Sequence, residues 1–373
     1  MTEKGLADIV AAQTRLSDID GHLGRLWYAG YDIDDLVAHS TFEEVVFLLH
    51  NLRLPTQVEL KEHLGFLVEE RHISRFRQEL MLTLAESSSP MSMMRTAVSA
   101  ASAYDPDGWD MSPEGMYRKA MRLVATAPTL LSTYHRFRTQ TGLVPMRADL
   151  SHAGNFLLQM TGREPLPLEI EVLDGTMTLY ADHTMNASTF TARVIASTLS
   201  DIFSGVTGAI AALKGPLHGG ANEESMKMIE EVGSPERADA YIAKRFDQHE
   251  LIWGFGHRVY RHVDDPRATH LRRWSQQLGE LRDDTRWYDI SYAIEEAVLR
   301  HRDLRPNVDF YAASVLHYLG IPTDLMTPFF AMSRIAGWTA HIREQYADNR
   351  IIRPDSEYIG PRDQHWVPIE ERV

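Results

Sequence analysis

The stretch ASTFTARVIASTLSDIFSGVTGAIAAL, residues 187–213, decides how the rest of the chain is read. Ala187, Ala192, Ala196, Ser197, Ser200, Ser204, Gly205, Gly208, Ala209, Ala211 and Ala212 are small, and charge is nearly absent. The run predicts one long helix from Asn186 or Ala187 to Leu213, buried all round. Small side chains let other helices approach closely, so a core helix and a subunit interface both fit. Gly215-Pro216 breaks the pattern.

Helical patterns continue on both sides. Ser40 with Glu43 forms a capping box ahead of Val45, Val46, Leu48, Leu49 and Leu52, and Pro55 closes that helix. Further helices are expected over 91–103, 114–126, 128–139 and 148–161, with Pro128 separating two of them and Gly162 ending the last. After the break come about 221–232, a helix begun by Ser234-Pro235, then about 267–280, 287–301 and 309–319, the last capped by Gly320. Thr327-Pro328 opens a final long helix whose Met332, Ile335, Thr339, Ile342 and Tyr346 make one buried face. Only residues 5–33 look β-rich: Asp20-Gly21 is a turn signal followed by Arg25–Tyr28, which predicts a short hairpin. Beyond Asn349, a tail with Pro354, Gly360 and Pro361 must be pinned by contacts or be mobile. The expected architecture is all-α, of many helices, with a short N-terminal β-hairpin.

The chain has 373 residues, 44% of them hydrophobic, enough for two domains or one large one with a sizeable core. Its net charge of −14, from 52 acidic and 38 basic residues, repels nucleic acid and anionic lipid. An anionic ligand would need a local arginine cluster. Cysteine is absent, which rules out disulfides, thiolate metal sites and thiol nucleophiles and suits a reducing cytoplasm. Met1-Thr2-Glu3-Lys4-Gly5 does not read as a secretory leader, and no apolar run reaches the roughly 18 residues a membrane span needs.

Three breaks between apolar helices, two of them Gly-rich, carry titratable groups. In Gly215-Pro216-Leu217-His218-Gly219-Gly220-Ala221-Asn222, His218 precedes a helix N-terminus, where the dipole favours a neutral imidazole able to polarise a carbonyl. A loop histidine capping a turn is the plainer explanation. Gly254-Phe255-Gly256-His257-Arg258-Val259-Tyr260-Arg261, followed by Asp265-Pro266-Arg267, is either an anion pocket or a solvated basic loop. In Arg305-Pro306-Asn307-Val308-Asp309, Asp309 stands where a helix begins, the usual place for a cap. Two histidines and a carboxylate could also suggest an iron triad, but the local spacing is absent. Neither His-Glu-x-x-His nor Gly-x-Ser-x-Gly occurs.

Together these segments resemble the citrate synthase family over nearly the whole chain. Residues 215–222, 254–260 and 306–311 look like its three catalytic blocks, in order. Asp182-His183 with Asn186–Phe190, Gly30–Ile33, Ser333-Arg334 and Ile352-Arg353-Pro354 also fit. The resemblance implies His218, His257 and Asp309 as catalytic residues, acting on oxaloacetate and an acyl-CoA, without a metal or other cofactor. His183, Asn222, Arg267, Arg334 and Arg353 would bind oxaloacetate. Gly254, Gly256, Arg261, Arg302 and Arg305 would bind CoA. It implies a homodimer in which Arg353 reaches the partner's site. A large domain (1–217 and 320–373) and a small one (218–319) would close over substrate. The chain departs from the family by one extra residue between His257 and Arg267, by Ala29, Ser89 and Ser92 in place of commoner Arg, His and Asp, and by Asp355 after Arg353-Pro354. A 2-methylcitrate synthase using propionyl-CoA and a catalytically inactive helical interaction protein are the alternatives.

Overall fold

The computed structural model describes residues 4–6, 9–261 and 263–372. Three short strands, β1 (Ser17–Asp20), β2 (Arg25–Tyr28) and β3 (Tyr31–Asp32), form an antiparallel sheet in that order. Helices α1 (Ile33–His39), α2 (Phe42–Asn51), α3 (Gln57–Glu70), α4 (Arg75–Ser87), α5 (Pro90–Ala101), α6 (Pro113–Arg138), α7 (His152–Thr161) and α8 (Pro167–Tyr180) come next. They are followed by α9 (Ala187–Ser197), α10 (Ile202–Leu213), α11 (Ala221–Val232), α12 (Ala238–Asp247), α13 (Pro266–Leu281), α14 (Arg286–His301), α15 (Val308–Tyr318) and α16 (Met326–Ala347). The all-α expectation with an N-terminal hairpin holds. Asp20 builds the hairpin turn by accepting from the backbone N–H of His22 (2.8 Å) and Leu23 (2.9 Å). Strand character starts only at Ser17, and β3 adds a third strand after Ala29-Gly30, both at positive φ.

The deciding stretch is two helices, not one. Leu199 turns left-handed at φ 63°, and Asp201 accepts from the Ser204 N–H at 2.9 Å, starting α10. Asp201 is the run's one carboxylate, and a carboxylate is a far better N-cap than a helix-interior residue. Nor is the pair buried all round: Phe190, Thr191, Val194 and Ile195 are only half-buried, and Ala211 is exposed. Close approach through small residues is borne out. A Cβ on Gly205 would lie 2.6 Å from Ile342 Cδ1 of α16, and one on Gly208 would lie 2.2 Å from Ile195 Cδ1.

Other boundaries differ for local reasons. Pro128 sits inside the continuous α6. Buried Val124, Ala127, Leu130, Leu131 and Tyr134 pack along both halves, and that burial outweighs the roughly 3 kcal/mol an interior proline costs. The first capping box is Thr41–Glu44, one residue later than expected. α7 starts at His152, capped by Ser151. Helices α1, α3, α4 and α8 carried no clear periodic signal.

α16 is the central column. Phe329, Met332, Ile335, Ala336, Trp338 and Ile342 are buried, and it packs on α2, α6, α8, α9 and α10. α15 lies against α11, α13 and α14. The break before α11, the loop before α13 and the start of α15 meet α16 at one cleft. Among the described residues, no helix is long and apolar enough to cross a membrane.

Candidate active site

His183, His218, Asn222, His257, Arg267, Asp309 and Arg334 all line one cavity of about 170 Å³. Each arrives on a different element.

His218 sits in a tight turn in which its own N–H and that of Gly219 donate to the Gly215 carbonyl (3.0 and 3.1 Å). Gly219 is required there, since a Cβ would stand 2.1 Å from the Leu213 carbonyl oxygen. Its Nε2 accepts from the Ser188 backbone N–H at 3.2 Å. The Ser188 hydroxyl, 2.9 Å from that nitrogen, already donates to Asn186 Oδ1 (2.7 Å) and accepts from Trp338 Nε1 (3.1 Å). The ring proton is therefore on Nδ1. Burial, aided by Arg334, lowers the His218 pKa to about 4. The neutral imidazole expected from the helix dipole is thus accounted for by burial first.

His257 lies in a loop stitched to the segment before α15. The Gly256 N–H donates to the Arg305 carbonyl (2.9 Å), the Asn307 N–H to the Gly254 carbonyl (2.8 Å), and Asn307 Nδ2 to the Gly256 carbonyl (2.9 Å). His257 Nδ1 accepts from the N–H groups of Val259 (3.1 Å) and Tyr260 (3.2 Å), which leaves the proton on Nε2. Burial, with Arg267, lowers its pKa to about 4. With His218 Nε2 and His257 Nδ1 both engaged by backbone donors, these rings offer N–H groups rather than lone pairs, a poor donor set for the iron triad weighed from sequence.

Asp309 is not the helix cap. Asn307 takes that role, accepting from the Asp309 N–H at 2.9 Å, so the Asp309 carboxylate is free for the cavity. Burial raises its pKa to about 6, against the pull of Arg267 and Arg334. Asn222, on α11, is within 3.4 Å of the Thr327 hydroxyl.

Arg267 and Arg334 are each 2% exposed. Arg267 clamps Asp265 (Nε–Oδ1 2.9 Å, Nη2–Oδ2 2.7 Å), and Nη1 has no acceptor among the described residues. Arg334 donates from Nε to the Tyr180 carbonyl and lies 4.6 Å over the Phe330 ring. No carboxylate pairs with it among the described residues. Buried guanidinium groups with free donors constitute an anion site. His183 faces the same space, its ring 5.3 Å from His257, and burial holds its pKa well below the usual histidine range.

The remaining sequence candidates lie elsewhere. Arg353 is exposed and pairs with Asp355 at 2.7 Å. Arg302 stacks over Phe246 at 4.6 Å, and Arg305 faces Asp303 (3.3 Å) and Asp264 (3.5 Å). Arg261 is exposed beside the hairpin. Gly254 and Gly256 serve the loop: both have positive φ (78° and 76°), and a Cβ on Gly254 would come 2.7 Å from Phe310 Cβ. None of these lines the cavity. Sequence reasoning missed the roles of Ser188, Trp338 and Asn307. Only Asn307, two residues before a helix-start aspartate, had a readable capping signal.

The family profile described as citrate synthase, C-terminal domain, matches residues 5–355. The chain belongs to the citrate synthase family. Citrate synthase 2 of Bacillus subtilis is 48% identical to it over 99% of both chains. A 2-methylcitrate synthase of Shewanella oneidensis is 38% identical over 100% of this chain and 98% of its own. The citrate synthase of Thermoplasma acidophilum, solved as a ternary complex with carboxymethyl coenzyme A and oxaloacetate, superposes with a TM-score of 0.94 at 31% identity, covering 100% of both chains.

Proposed function

We propose that this citrate synthase family member condenses acetyl-CoA with oxaloacetate and water, releasing citrate and CoA. The observation that carries the reading is a carboxylate of raised pKa in one cavity with two neutral imidazoles of fixed tautomer and two buried arginines.

Asp309 removes a proton from the acyl methyl. A carboxylate is too weak a base to do so alone, so His218 Nδ1–H stabilises the enolate oxygen as charge develops. The enolate carbon attacks the oxo carbon of oxaloacetate. His257 Nε2–H polarises that carbonyl and supplies a proton to the new alkoxide. Water then cleaves the citryl thioester. Arg267 and Arg334 take the carboxylates together with Arg353 of a partner subunit, and His183 and Asn222 add polar contacts. No metal or redox cofactor is required by these steps. For the acyl-CoA, a second cleft of about 750 Å³ shares Gly219, Gly220 and Thr327 with the cavity and runs past Pro216 and Trp253. Gly254, Gly256, Arg261, Arg302 and Arg305 do not line this cleft as it stands, and in this reading they become CoA contacts only once the small domain closes. Residues 218–319 act as a small domain that closes on the rest and shields the enolate from water. The working unit is a homodimer, and the cysteine-free composition suits the cytoplasm.

Propionyl-CoA is the second reading, supported by the Shewanella oneidensis relative. One methyl gives only about 1–3 kcal/mol of discrimination, so both activities can coexist. Release of free thiol, measured with oxaloacetate and each acyl-CoA in turn, separates the cases. A higher kcat/KM with acetyl-CoA is expected. A preference for propionyl-CoA would reassign the enzyme, and no release with either would make it an inactive relative.

A further inference from the structure

The turn that presents His183 is held from behind by buried polar groups that the reaction steps do not use. Thr184 has φ 53°, a left-handed conformation that a β-branched residue adopts only under constraint. Its N–H donates to Ser17 Oγ (3.1 Å) and Asp182 Oδ2 (3.3 Å), and the Ser17 hydroxyl donates to the same carboxylate. Tyr28 donates its hydroxyl to the Asp182 carbonyl at 2.8 Å. Asp182 is fully buried against Gly337, where a Cβ would stand 2.4 Å from Oδ1.

A further donor reaches Asp182 from α16. His341 Nε2 lies 3.3 Å from the carboxylate, and its Nδ1 lies 3.2 Å from Arg193 Nη1. A guanidinium only donates, so Nδ1 accepts and Nε2 carries the proton toward Asp182. Arg193 is fixed in turn by Glu344 Oε2 (2.6 Å) and Gln345 Oε1 (3.1 Å). Gln345 Nε2 donates to Asn349 Oδ1 (3.1 Å) and the Arg350 carbonyl (3.4 Å), where the C-terminal tail leaves the body. Asp182, His341 and Arg193 are outside the cavity lining.

We propose that Asp182, His341 and Arg193 form a positioning chain that fixes His183 in the oxaloacetate cavity and ties its orientation to the root of the C-terminal tail. The chain rests on the assignment of His183 to the oxo acid made above. Its members act through His183, so their loss weakens oxaloacetate binding selectively. A purely structural role would lower the amount of active enzyme, or move both Michaelis constants together.

The test is steady-state kinetics of the full-length enzyme with each substrate varied. His341→Leu removes both hydrogen bonds and is expected to raise KM for oxaloacetate about tenfold, while KM for acetyl-CoA moves less than about threefold. His341→Gln can accept from Arg193 through its amide oxygen and donate to Asp182 through its nitrogen, so it should recover most of the loss. Should His341→Leu not fold, Ser17→Ala is the gentler probe, with about a threefold rise in the same constant expected. Gln345→Ala should show the same selectivity in weaker form. Wild-type oxaloacetate binding in His341→Leu, or equal changes in both constants, would overturn the chain, and unchanged constants in Gln345→Ala would sever its link to the tail. His183→Ala distinguishes the two levels: if it leaves KM for oxaloacetate unchanged, the assignment of His183 itself fails.

Discussion

The burial that suits Asp309 to the proposed role of base is also a cost to the fold. Its folded pKa of about 6 lies above its ordinary value of 3.8, so folding favours the protonated form. This group's contribution to stability is complete below pH 3.8 and is lost as pH rises through about 6. The residue keeps some opening to the cavity, which screens part of the penalty. Asp309→Asn should therefore be more stable than wild type at pH 8, on the order of 2 kcal/mol, with the gain vanishing near pH 4. Urea denaturation at the two pH values checks this. The same variant should lose about 10³-fold or more in kcat, since the base is gone. In the wild type, kcat/KM should fall about tenfold per pH unit below pH 6, where Asp309 becomes protonated. His218 and His257, at about 4, stay neutral across that range and do not set the break. A pH profile with no acid limb near 6 would remove Asp309 as the base. His218 and His257 were legible because they stood in Gly-rich breaks, and Asp309 because it stood at a helix start inside a block resembling the family's. Ser188 and Trp338, which fix the His218 proton, were not, because both sit inside apolar helices where nothing local marks them as polar partners.

At the level of elements, the site depends on how the loop bearing His257 is joined to α15. Asn307 does two jobs: its carbonyl oxygen caps the helix, and its amide nitrogen holds the Gly256 carbonyl. Asn307→Ala should lose about 1 kcal/mol from the cap alone, and turnover as His257 drifts from Asp309. Asn307→Ser keeps a capping oxygen but cannot span to Gly256. Thermal melts should show stability largely restored in the serine variant while kcat stays low. Recovery of both together would mean that capping alone orients the site. Amphipathic helices such as α11 and α13 were readable because burial on one face repeats, whereas α16, expected to bury one face, is buried all round from Ala331 to Ile342 and was readable from its length and apolar content. Their ends were less so. The break at 198–201 depends on a single aspartate and a left-handed leucine, with no Gly or Pro to announce it. The continuity of α6 through Pro128 was unreadable for the opposite reason: a strong local breaker is overridden by packing along the whole helix. Tertiary burial decides both cases, and a local pattern cannot register it.

The charge of the whole molecule posed a question that the fold answers locally. In the proposed reading, a chain of net charge −14 receives a dianion at the one cavity where Arg267 and Arg334 are buried together. Those two arginines come from this chain. Arg353 does not reach the cavity of its own chain; it extends on a tail whose Ile359 and Trp366 are largely exposed. That geometry suits an arm that completes a second copy's site, a point legible in the sequence only through family resemblance, because no pattern within one chain encodes where a neighbour sits. Complementation decides it. In the proposed homodimer, Arg353→Ala and Asp309→Ala should each inactivate every site when present in both subunits. In a hybrid, the Arg353→Ala subunit keeps its Asp309 and receives an intact Arg353 from its partner, while the other site stays dead. Unfolding and refolding an equimolar mixture should therefore return activity to about a quarter of wild type, since about half the dimers are hybrids with one working site each. If Arg353 instead served its own subunit, every site in every hybrid would carry one lesion, and mixing would restore nothing.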